Sequence, residues 1–120
     1  MPNNKNPKYD LEERTAKFGE KIIIFCKKIH RSPINDPLIN QLVKAATSVG
    51  ANYSEADDAE SKMDFKHKIG ICKKEARESK HFIRMIAIAN AEVREEAKTL
   101  WQEAKELNLI LNSIYKKVSN

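Results

Sequence analysis

The sequence predicts an all-α protein, folded as one antiparallel up-down-up-down four-helix bundle. Three observations carry this. Only 3 glycines and 4 prolines occur in 120 residues, so turn material is scarce and helix formers dominate. Apolar residues recur at alternating spacings of four and three in four separate segments, the stripe of a helix packed in a bundle. The connections between those segments are short, which makes sequential neighbours antiparallel. One domain over residues 1–120 accommodates all four helices, with a core that needs no metal or disulfide staple.

Residues 1–8 are polar and terminal, and disorder is expected there. The first helix is expected over 11–31. Asp10 is its N-cap and Glu13 the capping-box partner. Leu11, Thr15, Phe18, Ile22, Phe25 and Ile29 form its seam, and Ser32-Pro33 ends it. The second helix, 37–58, starts from Asp36 as N-cap with Pro37 at the first helical position. Its seam is Leu38, Leu42, Ala45, Val49, Asn52 and Ala56, running in phase through Gly50. Ser61 and Asp64 open the third helix, 62–89, with a seam from Phe65 through Ile69, Cys72, Ala76, Ser79 and Ile83 to Ile86. Asn90 is read as the cap of the fourth, 91–118, whose seam runs from Val93 through Leu100 and Leu107 to Val118.

No apolar run approaches a membrane span, and MPNNKNPKYD holds no hydrophobic segment of a secretory signal. A cytoplasmic location is expected. Cys26 and Cys72 lie 46 residues apart inside helical patterns and read as small core residues, without the close Cys/His neighbours of a zinc site.

The second helix is wider than one core requires. Beside its seam lies the row Ile39, Val43, Ala46, Gly50 and Tyr53, and Lys44 is the only charge between Pro37 and Ser54. In the first helix Ile22, Ile23 and Ile24 are consecutive and point in three directions. A continuous extra apolar row marks an interface, so a stable homo-oligomer is expected, with the second helix between its own bundle and a neighbour. Gly50 would let another helix approach closely, and Asn52, polar on the seam, should hydrogen-bond across helices.

Candidate catalytic groups do not assemble. Glu78-x-x-His81 and Asp64-x-x-His67 resemble the Glu-x-x-His element of di-iron bundles, but both sit on one helix, 14 residues apart. No nucleophile elbow or glycine-rich phosphate loop occurs. No enzyme, metal, cofactor or small-molecule substrate is indicated. Glu55, Asp57, Asp58 and Glu60 read as the solvated end of a helix, or as partners for basic residues of a neighbouring subunit.

The net charge of +5 is uneven: residues 61–90 carry eight cations against three carboxylates, and residues 1–35 carry eight against four. On the third helix Lys62, Lys66, Lys73, Arg77, Lys80 and Arg84 fall within roughly 60° of arc. On the first, Arg14, Lys17, Lys21 and Lys28 are similarly confined. Such stripes bind phosphate backbones through counterion release, or serve as solvated faces whose stems cover the core edge. Off its seam the third helix carries Phe82 as its one aromatic, so sequence-specific reading of single strands is not expected.

YDLEERT (Tyr9–Thr15), the CKKI that follows, NQLVKAATSVGANYSEADDAESKMDFKHKI (Asn40–Ile69) and KKEARESKHFIRMI (Lys73–Ile86) resemble the bacterial four-helix-bundle family named after 23S rRNA intervening sequences. The resemblance covers residues 9–90; the fourth helix agrees in pattern only. It implies a bundle that assembles into a pentameric ring, without catalytic residues and without an established cellular role. A related branch, the accessory proteins of diversity-generating retroelements, forms a similar basic pentamer that works with a reverse transcriptase and RNA. Ala46 stands where family members often carry glycine, and His81-Phe82 where they often carry an aromatic pair. The expected function is a non-enzymatic oligomer binding RNA or DNA through the first and third helices. The alternative is a protein-interaction adaptor with no nucleic-acid role.

Overall fold

The computed structural model describes residues 10–118. The expectation of disorder over residues 1–8 lies outside them. Four helices follow one another: α1, Leu11–Lys27; α2, Asn35–Asp57; α3, Lys62–Ala89; and α4, Arg94–Lys117. A 3-10 turn, Ala91–Val93, leads into α4. No strand occurs among the described residues, and none of these helices is long and apolar enough to cross a membrane.

Partners along each helix pair run in opposite directions. Cys72 Sγ, early in α3, donates to the Val49 carbonyl late in α2 (3.5 Å), while Asn90 meets Asn35 at the other end. Lys73 meets Asn112 in α4, and Lys80 meets Trp101. The helices are therefore antiparallel in sequence order. α2 packs broadly on both α1 and α3, α3 packs on α4, and α1 touches α4 least. The molecule measures 44 × 29 × 18 Å, an oblong section that follows from the loose α1–α4 side.

All six seam residues of α1 are buried, including Ile29 beyond its end. Phe18, Ile22 and Phe25 meet Leu42 and Val49 of α2, Ile69, Ile83 and Ile86 of α3, and Leu107 and Leu111 of α4 in one core. Each such side chain contributes about 1.5–3 kcal/mol by leaving water. Cys26 and Cys72 are buried free thiols of that core. Burial pushes them up to about 11 and about 12 respectively, so both stay protonated near neutrality.

Two expected caps hold. The Asp10 carboxylate accepts from the Glu13 amide (3.4 Å), and Ser61 Oγ accepts from the Asp64 amide (3.0 Å). The other boundaries differ. α1 ends at Lys27 and not near Arg31, because the Lys28 and Ile29 amides turn back to Phe25 and Cys26 in tight 3-10 fashion. α2 begins at Asn35, two residues before Pro37. Ser32, read from sequence as a breaker, braces the entry to α2: its hydroxyl accepts from the Asn35 amide at 2.9 Å, and Asp36 reciprocates by accepting from the Ser32 amide at 3.2 Å. Pro37 lies inside the first turn, where a missing N–H costs nothing. α4 starts at Arg94, later than 91, and Asn90 makes no side-chain cap. Its amide is engaged with Asn35 instead.

Part of the wide apolar face of α2 packs within the chain. Ala46 is buried, and Ile39, Val43 and Tyr53 pack partly buried against the core. A Cβ placed on Gly50 would lie 3.4 Å from the Thr15 and Ala16 backbone, so α1 is the helix that Gly50 admits. Asn52 does not bond across helices; its Nδ2 donates to the Ser48 carbonyl one turn back, at 2.9 Å. Partial exposure lets water satisfy the rest of the amide, which removes the need for an interhelical partner.

Candidate nucleic-acid interface

The two basic stripes have different surroundings. On α1, Arg14 lies against α4. Its Nε and Nη2 donate to the two oxygens of Glu103, both at 2.8 Å, and Nη2 also reaches Glu106 at 2.9 Å. The forked bond to Glu103 holds the guanidinium proton well above its ordinary affinity. Lys28 donates to both oxygens of Glu96 (2.8 and 2.7 Å). Lys17 lies 3.6 Å from Glu13. Lys21 lines the α1–α4 cleft beside Glu103. Three of the four α1 cations are thus matched by carboxylates, and the stripe serves as an electrostatic seam between α1 and α4.

The α3 stripe meets aromatic rings. Lys73 Nζ sits 4.3 Å from the centre of the Tyr115 ring and donates to Asn112 Oδ1 at 3.0 Å. Lys66 Nζ lies 4.8 Å from the same ring. Lys80 Nζ lies 5.4 Å from the centre of the Trp101 ring, approached also by Lys105 at 5.7 Å. A cation over a ring is held by about 0.5–1 kcal/mol at exposed sites, and it keeps its full charge, which a carboxylate would cancel. Lys66, Lys73 and Lys80 recur every seven residues, roughly 10.5 Å apart along the helix. Lys62, Arg77 and Arg84 are exposed on α3.

Local packing sets this arrangement. Gly70 leaves room for the Tyr115 ring, since a Cβ there would meet Cε1 at 3.2 Å. Asn108 Nδ2 donates to the Lys73 carbonyl at 2.7 Å, tying α4 to α3 at the middle of the ridge. The acidic end of α2 is partly engaged within the same chain, where Lys68 donates to Glu55 at 2.6 Å.

The α3 cations were visible in the sequence; Trp101, Tyr115 and Lys105 were not singled out. The rings sit one position past the α4 seam residues Leu100 and Ile114, and 14 residues apart, a helical repeat. That repeat places them on one side of α4, yet only the antiparallel pairing with α3 brings them under its lysines. Phe82, the aromatic noted from sequence, stacks edge-on with His81 at 5.1 Å between ring centres.

The molecule is thus a small all-α bundle with a lysine–aromatic ridge between its last two helices. It belongs to the 23S rRNA-intervening sequence protein family, whose model matches residues 8–115. The match runs past residue 90 and through most of α4, which resembled the family in pattern alone. A crystal structure from Bacteroides thetaiotaomicron, described as a protein of unknown function from the S23 ribosomal protein family, has the same fold. The two chains are 26% identical with a TM-score of 0.82, over 93% of this chain and 100% of that one. No curated protein matches the chain.

Proposed function

We propose that this protein is a non-enzymatic, self-associating bundle that binds RNA or DNA through the α3–α4 ridge. The observation that carries the reading is the row of cations on α3. Lys73 and Lys80 rest on Tyr115 and Trp101 with their charge intact, and Arg77 and Arg84 extend the row into solvent. Phosphate groups bind such a surface by displacing condensed counterions, without reading bases. The α1 stripe contributes less, because Glu103, Glu106, Glu96 and Glu13 already balance it. Family membership supports the reading by analogy alone.

The test is a fluorescence-anisotropy titration of a labelled RNA at several salt concentrations. Binding should weaken steeply with salt. The triple variant Lys73→Gln, Arg77→Gln, Arg84→Gln should lower the salt slope by about 2–3, one for each lost phosphate contact. Lys17→Gln should change little. Absence of binding at low salt, or binding indifferent to salt, overturns the proposal.

A further inference from the structure

We infer that the ridge ends in a stacking pocket for an unpaired nucleotide, so that the ligand it favours is single-stranded. This deepens the nucleic-acid reading and rests on it. A groove of about 340 Å³ opens between α3 and α4 at the Trp101 end. Ligand clefts run from roughly 300 to 1,000 Å³, so the space suits one ring system and not a folded partner. Its wall is apolar, from Ile83 and Ala87 on α3 and Ala97 on α4, and Trp101 closes one side. Three cations rim it, Arg84, Arg94 and Lys98, against one carboxylate, Glu95. No ion pair engages any of the three cations among the described residues.

The occupant must therefore have a flat apolar face and adjoining negative charge. A nucleobase flanked by backbone phosphates has both. The groove also continues the ridge, because Lys80, on the same helix, approaches the indole that lines it. A strand with its phosphates along Lys73 and Lys80 would present its next base to Trp101. Bases of a duplex are stacked inside it and cannot reach a groove of this width, so only an unpaired base gains the contact. Stacking on an aromatic side chain tolerates any base, and the pocket therefore selects strandedness and not sequence.

Trp101 is the only tryptophan in the chain, and its emission reports the pocket directly. The protein is titrated at low salt with a labelled single-stranded RNA of about 12 nucleotides, with the duplex of the same sequence, and with AMP. Anisotropy follows binding of the RNAs and tryptophan emission follows stacking. The single strand should bind more tightly than the duplex and quench the indole, and the duplex should bind without quenching. Trp101→Leu, checked for folding by circular dichroism, should weaken single-strand binding about tenfold and duplex binding far less, since the duplex loses only the support of Lys80 and no stacking. Where that variant does not fold, Arg94→Gln with Lys98→Gln, both exposed, should weaken single-strand binding and reduce quenching. Equal binding of both RNAs without quenching overturns the pocket and leaves the phosphate-binding ridge standing. Binding of neither RNA overturns both. Quenching by AMP as strong as by the strand makes this a free-nucleotide site and overturns the strand reading.

Discussion

Asn90 illustrates what one residue conceals in a sequence. It stands before a helix, where asparagine is a preferred cap, yet its side chain turns inward. Its Nδ2 donates to Asn35 Oδ1 at 2.9 Å and to the Ile86 carbonyl at 3.0 Å, and its Oδ1 accepts from Asn35 Nδ2 at 3.0 Å. The partner is 55 residues away, so no local pattern reveals it. Asp10 and Ser61 were legible because their partners lie three residues on. The buried amide pair pins the α1–α2 connection to the α3–α4 connection in one register, since a sliding helix would leave two buried amides unsatisfied. Glu75 makes a second residue-scale case. Burial raises its pKa above the ordinary carboxylate value, and the neighbouring Glu78 adds to the effect. A raised carboxylate pKa means that the folded chain binds the proton more tightly than the unfolded chain. The ionised form is thus penalised in the fold above that pKa, and the penalty fades as pH falls through it. Glu75→Gln should therefore stabilise the protein at pH 7. Melting curves from pH 7 to pH 3.5 should show the variant's advantage shrinking; an advantage that grows on acidification would contradict the assignment.

Among the elements, α1 and α2 meet across a reciprocal pair of glycines. Gly50 faces the Thr15–Ala16 backbone of α1, and Gly19 faces Ala46 and Thr47 of α2. The helices come this close because neither carries a side chain at the crossing. The sequence showed that Gly50 lies in a helix and needs a neighbour. It could not name the neighbour, because a helical wheel gives the width of an apolar face and not what covers it. The two rows of α2 pack on α1 and α3 and account for part of the near absence of charge between Pro37 and Ser54. The lysine–aromatic ridge was half legible for a similar reason: its charges lie on one helix and its rings on another. Substitution tests the crossing. Glycine in a helix costs about 1 kcal/mol relative to alanine. A Cβ at Gly19 would make ordinary contacts, the nearest at 3.6 Å, so Gly19→Ala should stabilise by about 0.5–1 kcal/mol. At Gly50 three backbone atoms stand at 3.4 Å, which should cancel most of that gain. Gly50→Leu should destabilise by about 1–3 kcal/mol through overpacking. Urea denaturation of the three variants checks the order, and a Gly50→Leu protein as stable as wild type would exclude the close crossing.

For the whole molecule, the remaining question is self-association. The second row of α2 is only partly covered within the chain, since Ile39, Val43 and Tyr53 stay half-buried, and α1 offers a further apolar surface beside it. α1 lies at the edge of the oblong bundle, packed on α2 and tied to α4 mainly by the ion pairs of Arg14 and Lys28. Its outer side carries Ile23 and Ile24, 41% and 60% exposed. Ile23 also lines the α1–α2 groove with Ala16, Gly19 and Thr47, beside the carboxylates of Asp10, Glu12, Glu13 and Glu20. A monomer gains nothing from two adjacent isoleucines in water, whereas an oligomer would bury them, at about 25 cal/mol for each Å². Light scattering of the wild-type protein at micromolar concentration should give a mass several times 13.8 kDa. A pentamer, the state that the family resemblance implies, would give five times 13.8 kDa, about 69 kDa. Ile24→Lys should dissociate it while leaving the helical circular dichroism intact, because Ile24 is exposed and the core does not use it. The same variant should also weaken RNA binding, since one ridge per chain binds phosphate only as a single site, whereas linked copies add by avidity. A single 13.8 kDa species for the wild type, or an Ile24→Lys protein of unchanged mass, would refute this assignment of the interface and leave the ridge of one chain as the whole binding surface.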